Sequence, residues 1–152
     1  RPAEPDVLSS ADGRTWKVVG RLPVPVRYPA STVVDDTMWL FGGESSGASR
    51  NAIQRIDASG HVQLVGRLPT LLGHAVAVPF GTRILIAGGR TSADIITDRM
   101  WWFDTRTGRI TAAGRLPSPL ADSAVARCGD ADYLLGGETP HVTDRVLRVT
   151  YR

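Results

Sequence analysis

The chain has 152 residues, 42% of them hydrophobic and 22% charged, which predicts one globular domain with a buried core. Its net charge is only +3 and its arginines are scattered, so a nucleic-acid-binding surface is not expected. No apolar run approaches the ~20 residues that a membrane-spanning helix needs. Cys128 is the only cysteine, which excludes an intrachain disulfide and a cysteine-based metal site; we expect it to be a small buried strand residue.

The N-terminal residues are predicted to be extended ahead of the first repeat. Arg14–Val19 is typical of a strand, and Val7–Ser9 is a second candidate. Asp12 lies between them in a Ser-Ala-Asp-Gly sequence, and we predict that it forms a tight turn. The chain shows neither an initiator methionine nor a leader of positive and then apolar residues, so we expect a mature protein or a segment of a longer one.

From residue 20 onward the sequence is periodic. Gly-Arg-Leu-Pro starts at Gly20, Gly66 and Gly114, and each time a Gly-Gly pair begins 22 residues later. Every unit holds a small-residue run, a strongly apolar run that ends in the glycine pair, a third run after a variable loop and, in the first two units, a fourth run after a tight turn. The first runs are Ala30–Val34, Ala75–Val78 and Ser123–Ala126, and the pairs are Gly42-Gly43, Gly88-Gly89 and Gly136-Gly137.

These runs have strand character throughout. They are rich in Val, Ile, Trp, Phe and Thr, and no segment shows the apolar period of an amphipathic helix. Four strands per unit of about 47 residues predict four-stranded antiparallel sheets repeated radially, which is an all-β propeller. We predict a single domain over residues 1–152, with repeats at about 24–69, 70–117 and 118–152, the last completed by residues 1–23.

The diglycine pairs and their downstream aromatic residues resemble the kelch repeat family. Kelch repeats run about 50 residues with four strands per blade. Their hallmark is a diglycine that ends the second strand, followed by a Tyr in the third strand and a Trp in the fourth. This chain keeps the diglycine in all three units, an aromatic third-strand residue as Phe103 and a fourth-strand tryptophan as Trp16. The resemblance spans almost the whole chain and implies a divergent, bacterial-looking set of kelch blades.

A shorter stretch near the N-terminus resembles a second motif. Residues 10–16 are similar to a shortened Asp-box, the turn between third and fourth strands in sialidase-type propellers. An Asp-box is usually a structural turn rather than a catalytic element. The resemblance therefore agrees with a turn-forming role for Asp12.

Three blades are too few to close a propeller, which needs about 4–8. The N-terminus supplies a fourth strand and the last unit supplies first, second and third strands, so the two ends complement each other. We expect either a homodimer that closes a six-bladed ring head-to-tail or one half of a longer six-bladed chain. A third strand at Val7–Ser9 would duplicate the one at Val146–Tyr151 and favour the half-ring.

Polar residues are expected to converge on one mouth of the propeller channel. Tyr28, His74 and Asp122 lie at the same offset from the three Gly-Arg-Leu-Pro sequences, and a charged residue follows each diglycine. Such residues suit the binding of a sugar or an acidic group. The candidate ligand-binding residues are Arg27, Tyr28, Glu44, His74, Arg90, Asp122, Ser123 and Glu138.

Structural alternatives exist for several of these residues. Kelch repeats often carry a histidine at the position of His74 for structural reasons. Glu44 and Glu138 either pair with Arg90 or are simply solvated. No His-x-x-x-His spacing and no glycine-rich phosphate loop occurs, so we predict no catalytic residue, no metal site and no cofactor.

The resemblance implies three classes of function. Kelch propellers most commonly act as interaction modules, and we expect one that recognises a protein or a glycan. The same fold occurs in galactose oxidase, whose Cys–Tyr pair and copper-binding histidines are missing here, and in sialic-acid mutarotases, which remain the alternative. A structural or sensory extracytoplasmic module is the third class. The location is undetermined, with a preference for a secreted or extracytoplasmic bacterial protein.

Overall fold

A computed structural model describes residues 3–150, and within that range the chain is built of strands, turns and loops without a helix. No helix of this part of the chain could therefore cross a bilayer. The all-β prediction is confirmed; Tyr151, the predicted end of the last strand, lies outside the described residues.

The strands are β1 (Asp6–Ser9), β2 (Lys17–Arg21), β3 (Ala30–Val34), β4 (Thr37–Phe41), β5 (Glu44–Ser45), β6 (Ala48–Ser49), β7 (Ala52–Ile56), β8 (Val62–Arg67), β9 (Val76–Phe80), β10 (Arg83–Ala87), β11 (Arg99–Asp104), β12 (Ile110–Arg115), β13 (Ala124–Cys128), β14 (Ala131–Leu135) and β15 (Val146–Val149).

The strands form antiparallel sheets that follow the repeats. Sheet I has the order β3-β4-β7-β8, sheet II has β9-β10-β11-β12, and sheet III has the three strands β13-β14-β15. Strands β1 and β2 form a separate hairpin, and β5 and β6 form a short hairpin in the loop after the first diglycine. Each repeat thus folds as a meander in which consecutive strands pair.

Two apolar clusters hold the three sheets together. The first joins sheets I and II and includes Trp39, Phe41 and Phe103. The ring centroid of Phe103 lies 5.1 Å from that of Trp39 and 5.3 Å from that of Phe41. The second joins sheets II and III, with Leu134 buried and Leu147 packed at its edge. Adjacent sheets therefore pack face to face through alternate residues of their strands.

The diglycine pairs lie where one sheet meets the next. Gly42 and Gly88 both have φ +66°, and an added Cβ would lie 2.0 Å from the carbonyl oxygen of Leu72 or 2.1 Å from that of Leu120. In these two pairs the second glycine, Gly43 or Gly89, donates its N–H to the same carbonyl, at 2.8 and 2.7 Å. Glycine is therefore required at Gly42 and Gly88 for two reasons that the sequence led us to expect: the backbone has positive φ, and a neighbouring carbonyl approaches closely.

In sheets I and II the pairing between the third and fourth strands is interrupted at the same position. A bulge interrupts the register between Ile53 and Gln54 in sheet I and between Met100 and Trp101 in sheet II. The β1–β2 hairpin has the same bulge after Val7. Residues 6–9 therefore form a strand, as the sequence suggested, and its pairing with β2 has the irregularity seen between the third and fourth strands of sheets I and II.

The turns between third and fourth strands are held by aspartates. Backbone N–H groups of Thr15 and Arg14 donate to Asp12 Oδ1, both at 2.8 Å, which confirms its turn-forming role. These bonds, with a third from the Ser10 hydroxyl, lower the pKa of Asp12 to about 2. A hydrogen bond from Ser59 lowers the pKa of Asp57, and one from the Thr107 backbone lowers that of Asp104.

The depressed pKa of Asp12 predicts an acid-sensitive N-terminal turn. Because its folded pKa lies below the ordinary value of 3.8, the turn's stabilisation is complete above that value and is lost as the pH falls towards 2. We expect the Asp12 carboxyl carbon to titrate near pH 2 by NMR. In a Ser10→Ala variant, which removes one donor, the midpoint should rise. A midpoint near 3.8 in the unmodified chain would contradict these hydrogen bonds.

The prediction for Cys128 is wrong, because its side chain is exposed. It ends β13, a strand whose five residues are all exposed, whereas the equivalent strand β9 is mostly buried. The difference arises because sheet III has a neighbour on one face only among the described residues. The sequence gives the strand correctly, but the burial of a strand depends on what packs against it.

Candidate functional site

Three equivalent residues form a ladder along the sheet ends. Tyr28, His74 and Asp122 precede the first strands of sheets I, II and III and have φ values of 54°, 57° and 55°. The His74 N–H donates to the Tyr28 carbonyl, and the Asp122 N–H donates to the His74 carbonyl, both at 3.0 Å. The equal offsets in the sequence thus correspond to adjacent positions in space.

His74 is the centre of this ladder. Its Nδ1 lies 2.5 Å from Asp122 Oδ1 and its Nε2 lies 3.0 Å from Glu44 Oε1. Only 14% of the His74 side chain is exposed. A neutral imidazole donates from one nitrogen only, so both contacts are hydrogen bonds only when the ring is protonated. His74 therefore connects one carboxylate from each neighbouring repeat.

Arg90 is the second hub and follows the diglycine of sheet II. Its guanidinium binds Glu138, contacts Asp122 Oδ2 at 3.4 Å and contacts Asp94 Oδ1 at 3.2 Å. Burial alone would lower the pKa of Arg90, but attraction to Glu138 and the bond to Asp122 raise it above its ordinary value. Arg90 therefore remains charged, and each of its three guanidinium nitrogens contacts a carboxylate.

An aromatic residue and a second arginine complete the group on the side of sheet I. The Tyr28 ring stacks on the His74 ring, with centroids 4.5 Å apart and planes inclined by 24°. The Arg27 guanidinium lies 5.4 Å from the Tyr28 ring centroid and 3.9 Å from Glu44 Oε2. Tyr28 is 53% exposed, so its edge and hydroxyl reach solvent. This side of the group therefore combines an exposed tyrosine with partly buried charged side chains.

The loop backbones hold these side chains in place. In each repeat the residue after the diglycine forms an antiparallel bridge with the segment that enters the first strand. The bridged pairs are Arg27 with Glu44, Gly73 with Arg90, and Ala121 with Glu138. Because the bridge recurs at the same position, the three charged residues project from equivalent points on neighbouring repeats.

Seven of the eight candidate residues thus form one connected group, which we call the mouth cluster: Arg27, Tyr28, Glu44, His74, Arg90, Asp122 and Glu138, with Asp94 added by the structure. Ser123 is not part of it, because its hydroxyl donates to the carbonyls of Ala124 and Leu135. Asp94 was not among the candidates; its only signal is its place in the variable loop, four residues after Arg90. Glu138 pairs with Arg90, whereas Glu44 pairs with His74 instead.

The charges of the mouth cluster determine its chemistry. Four carboxylates face two arginines and one histidine; carboxylates contact Arg90 and His74 closely, whereas Arg27 lies 3.9 Å from Glu44 and its buried Nε has no hydrogen-bond partner among the described residues. An anionic ligand at Arg90 would have to displace one of these carboxylates, whereas ligand hydroxyls can donate to the carboxylates' free lone pairs. Within residues 3–150 no group of three His, Cys, Asp or Glu side chains is placed to hold a metal ion. The cluster is suited to a polyhydroxylated or cationic ligand.

No protein-family model matches this chain, and no curated protein is similar to it in sequence.

Proposed function

We propose that this chain is a kelch-type β-propeller module that binds a protein or a glycan through its channel-mouth loops. The observation that carries the proposal is the mouth cluster, in which polar side chains from three successive repeats meet. The diglycine contacts, the recurring bulge and the face-to-face sheets support blades arranged around a channel. The six-bladed ring is completed by a second copy of the chain or by another half of the same propeller.

A glycan is the ligand class that the side chains favour. Carboxylates that keep free lone pairs accept hydrogen bonds from sugar hydroxyls, and the exposed part of the Tyr28 side chain offers apolar surface for contact with a sugar. Paired cations hold the carboxylates in position before the ligand arrives, which lowers the entropy cost of binding. A basic protein segment would use the same carboxylates.

The proposal predicts that His74 is needed for binding. A glycan array with the purified chain supplies the ligand, and titration calorimetry gives its affinity. His74→Asn keeps a residue that tolerates positive φ but removes both ring contacts, so Glu44 and Asp122 lose their orientation. We expect binding at least ~10-fold weaker, which corresponds to about 1.4 kcal/mol.

His61→Asn is the matched control, because His61 is an exposed histidine at a third-to-fourth-strand turn. This variant should bind like the unmodified chain. Equal affinities of His74→Asn and the unmodified chain would place the ligand elsewhere. Absence of any glycan ligand on the array would leave protein binding as the form of the proposal to be tested, with a basic peptide library.

A sugar-acting enzyme such as a mutarotase is the second candidate. It is favoured by one observation: a largely buried histidine between two carboxylates is a route for proton transfer. Against it, neither ring nitrogen of His74 is free to face a substrate. Incubation of a pure anomer with the chain, followed by NMR, distinguishes the two functions, since only an enzyme accelerates equilibration.

A further inference from the structure

The outer edge of sheet III is open. β15 pairs with β14 on one side, and no described strand pairs with its other side, whereas the equivalent strands β7 and β11 pair with β8 and β12. A groove of about 340 Å³ runs along this edge and is lined by Met100, Leu116 and Val146–Thr150. Among the described residues, sheet III therefore lacks the fourth strand that sheets I and II have.

β2 has the sequence and the register of a fourth strand. It ends in Gly-Arg followed by Leu-Pro, as do β8 and β12. Its glycine, Gly20, lies opposite Val7, as Gly66 lies opposite Ile53 and Gly114 opposite Met100. By the pairing with β14, the residue of β15 at this position is Val146.

We propose that β2 of a second copy of this chain adds to the free edge of β15. In this arrangement β15 takes the place of β1 as the strand that pairs with β2. The inference rests on the propeller of the proposed function, and it names the partner that closes the ring. Each copy then completes the other's third sheet, with Gly20 opposite Val146 and Lys17 opposite Arg148. β-Strand addition of this kind satisfies the backbone groups that an open edge leaves unpaired.

The backbone groups around the diglycines support the same partner. Gly43 and Gly89 donate to carbonyls of the following repeat, but the equivalent N–H of Gly137 has no partner within residues 3–150. At the other end of the chain the carbonyl of Val26 is the equivalent acceptor and is likewise unpaired within that range. A second copy that follows sheet III supplies Val26 to Gly137, so one geometry satisfies both.

The exposed faces match as well. Leu135 of sheet III is 38% exposed, whereas its equivalents Phe41 and Ala87 are 0% and 2% exposed under the next sheet. Sheet I presents Val33 and Met38, both exposed, on the face that would meet it. Docking would cover both faces with the packing that already joins sheets I, II and III.

The exchange breaks only a weakly packed hairpin, although it also places Lys17 opposite Arg148, a like-charged pair that lowers stability. The β1–β2 hairpin belongs to neither apolar cluster, and Leu8 and Val18 are exposed on it. A two-stranded hairpin is of marginal stability in water. The ion pair between Asp6 and Arg21 is lost, and such pairs near the surface contribute little to stability. β2 keeps its own packing, because Gly20 lies directly against Gly60 of sheet I.

Cysteine cross-linking tests the exchange in the full chain with Cys128→Ser as background. Lys17→Cys is combined with Arg148→Cys in one variant and with Ser9→Cys in the other, its partner within the hairpin. Both pairs suit a disulfide, because directly opposed strand residues have Cα atoms about 4.5–5.5 Å apart. The two variants share Lys17→Cys and differ only in the strand that β2 contacts.

We expect the 17–148 pair to oxidise faster in a glutathione buffer and to give a covalent dimer on a non-reducing gel. Light scattering of the unmodified chain should give the mass of two chains. Faster oxidation of the 9–17 pair, or the mass of one chain, overturns the exchange and leaves the edge to another segment or partner. Ligand binding measured on the same samples is independent: a monomer that binds refutes only the exchange, and a dimer without ligand refutes only the binding function.

Discussion

Gly88→Ala should be among the most destabilising single-methyl changes in this protein. The added Cβ would lie 2.1 Å from the Leu120 carbonyl oxygen, a backbone atom that moves only if sheet III moves with it. Overpacking of this kind costs about 1–3 kcal/mol, and a non-glycine residue at φ +66° adds about 1–2 kcal/mol. We expect a loss of about 2–5 kcal/mol in the free energy of unfolding, measured by urea denaturation with circular dichroism.

Two controls separate the contributions to this loss. Gly108 has φ +70° and nothing within 4 Å of an added Cβ, so Gly108→Ala should show the backbone strain alone. Gly136 holds the position of Gly88 in sheet III, and its nearest atom is 3.3 Å away. Gly136→Ala should therefore be milder than Gly88→Ala in the single chain. Equal losses at Gly88 and Gly108 would mean that the sheets tolerate separation.

The repeat explains why so much of the fold was predictable. A strand between a diglycine and a turn has its ends marked by residues with special backbone conformations, and the marks recur three times. Errors occur where local hydrogen bonding competes with the strand. Arg14–Val19 was expected to be extended, but residues 14 and 15 are bound to Asp12, and β2 begins at Lys17.

The mouth cluster was predictable in position but not in pairing. Equal offsets place Tyr28, His74 and Asp122 side by side because the backbone repeats. Which carboxylate meets which cation depends on the side-chain reach and on the separation of neighbouring sheets, and neither can be read from one sequence. Ser123 illustrates the limit, since its hydroxyl binds nearby carbonyls instead.

Gln54 shows what the sequence conceals altogether. It is fully buried, accepts from the Val24 N–H at 3.0 Å and donates to the Val24 carbonyl at 2.9 Å. The equivalent position in sheet II is Trp101, so no repeat pattern marks a polar residue there. Its partner lies in a connecting segment 30 residues away, and such a contact becomes visible only when the chain is folded.

Phe103→Ala is the second large effect that we expect, and it connects the core with the mouth cluster. Phe103 is 2% exposed and contacts the rings of Trp39 and Phe41 across the junction of sheets I and II. Removal of a buried phenyl ring costs about 3–5 kcal/mol, since the cavity collapses only in part. Urea denaturation measures the loss, and Phe103→Leu, which keeps most of the apolar volume, should cost less.

Phe103→Ala should also weaken ligand binding, although Phe103 itself does not contact the ligand. Glu44 from the first repeat reaches His74 of the second across the same junction, at 3.0 Å. If the junction loosens, that distance is no longer fixed, and the binding-competent arrangement is populated less often, which lowers the apparent affinity. We expect the affinity to fall in the order unmodified, Phe103→Leu, Phe103→Ala, measured by calorimetry at a temperature where all three are folded. An unchanged affinity in a destabilised Phe103→Ala variant would show that the mouth cluster is held by its loops alone, because the sheet junction would then contribute stability but not the geometry of the site.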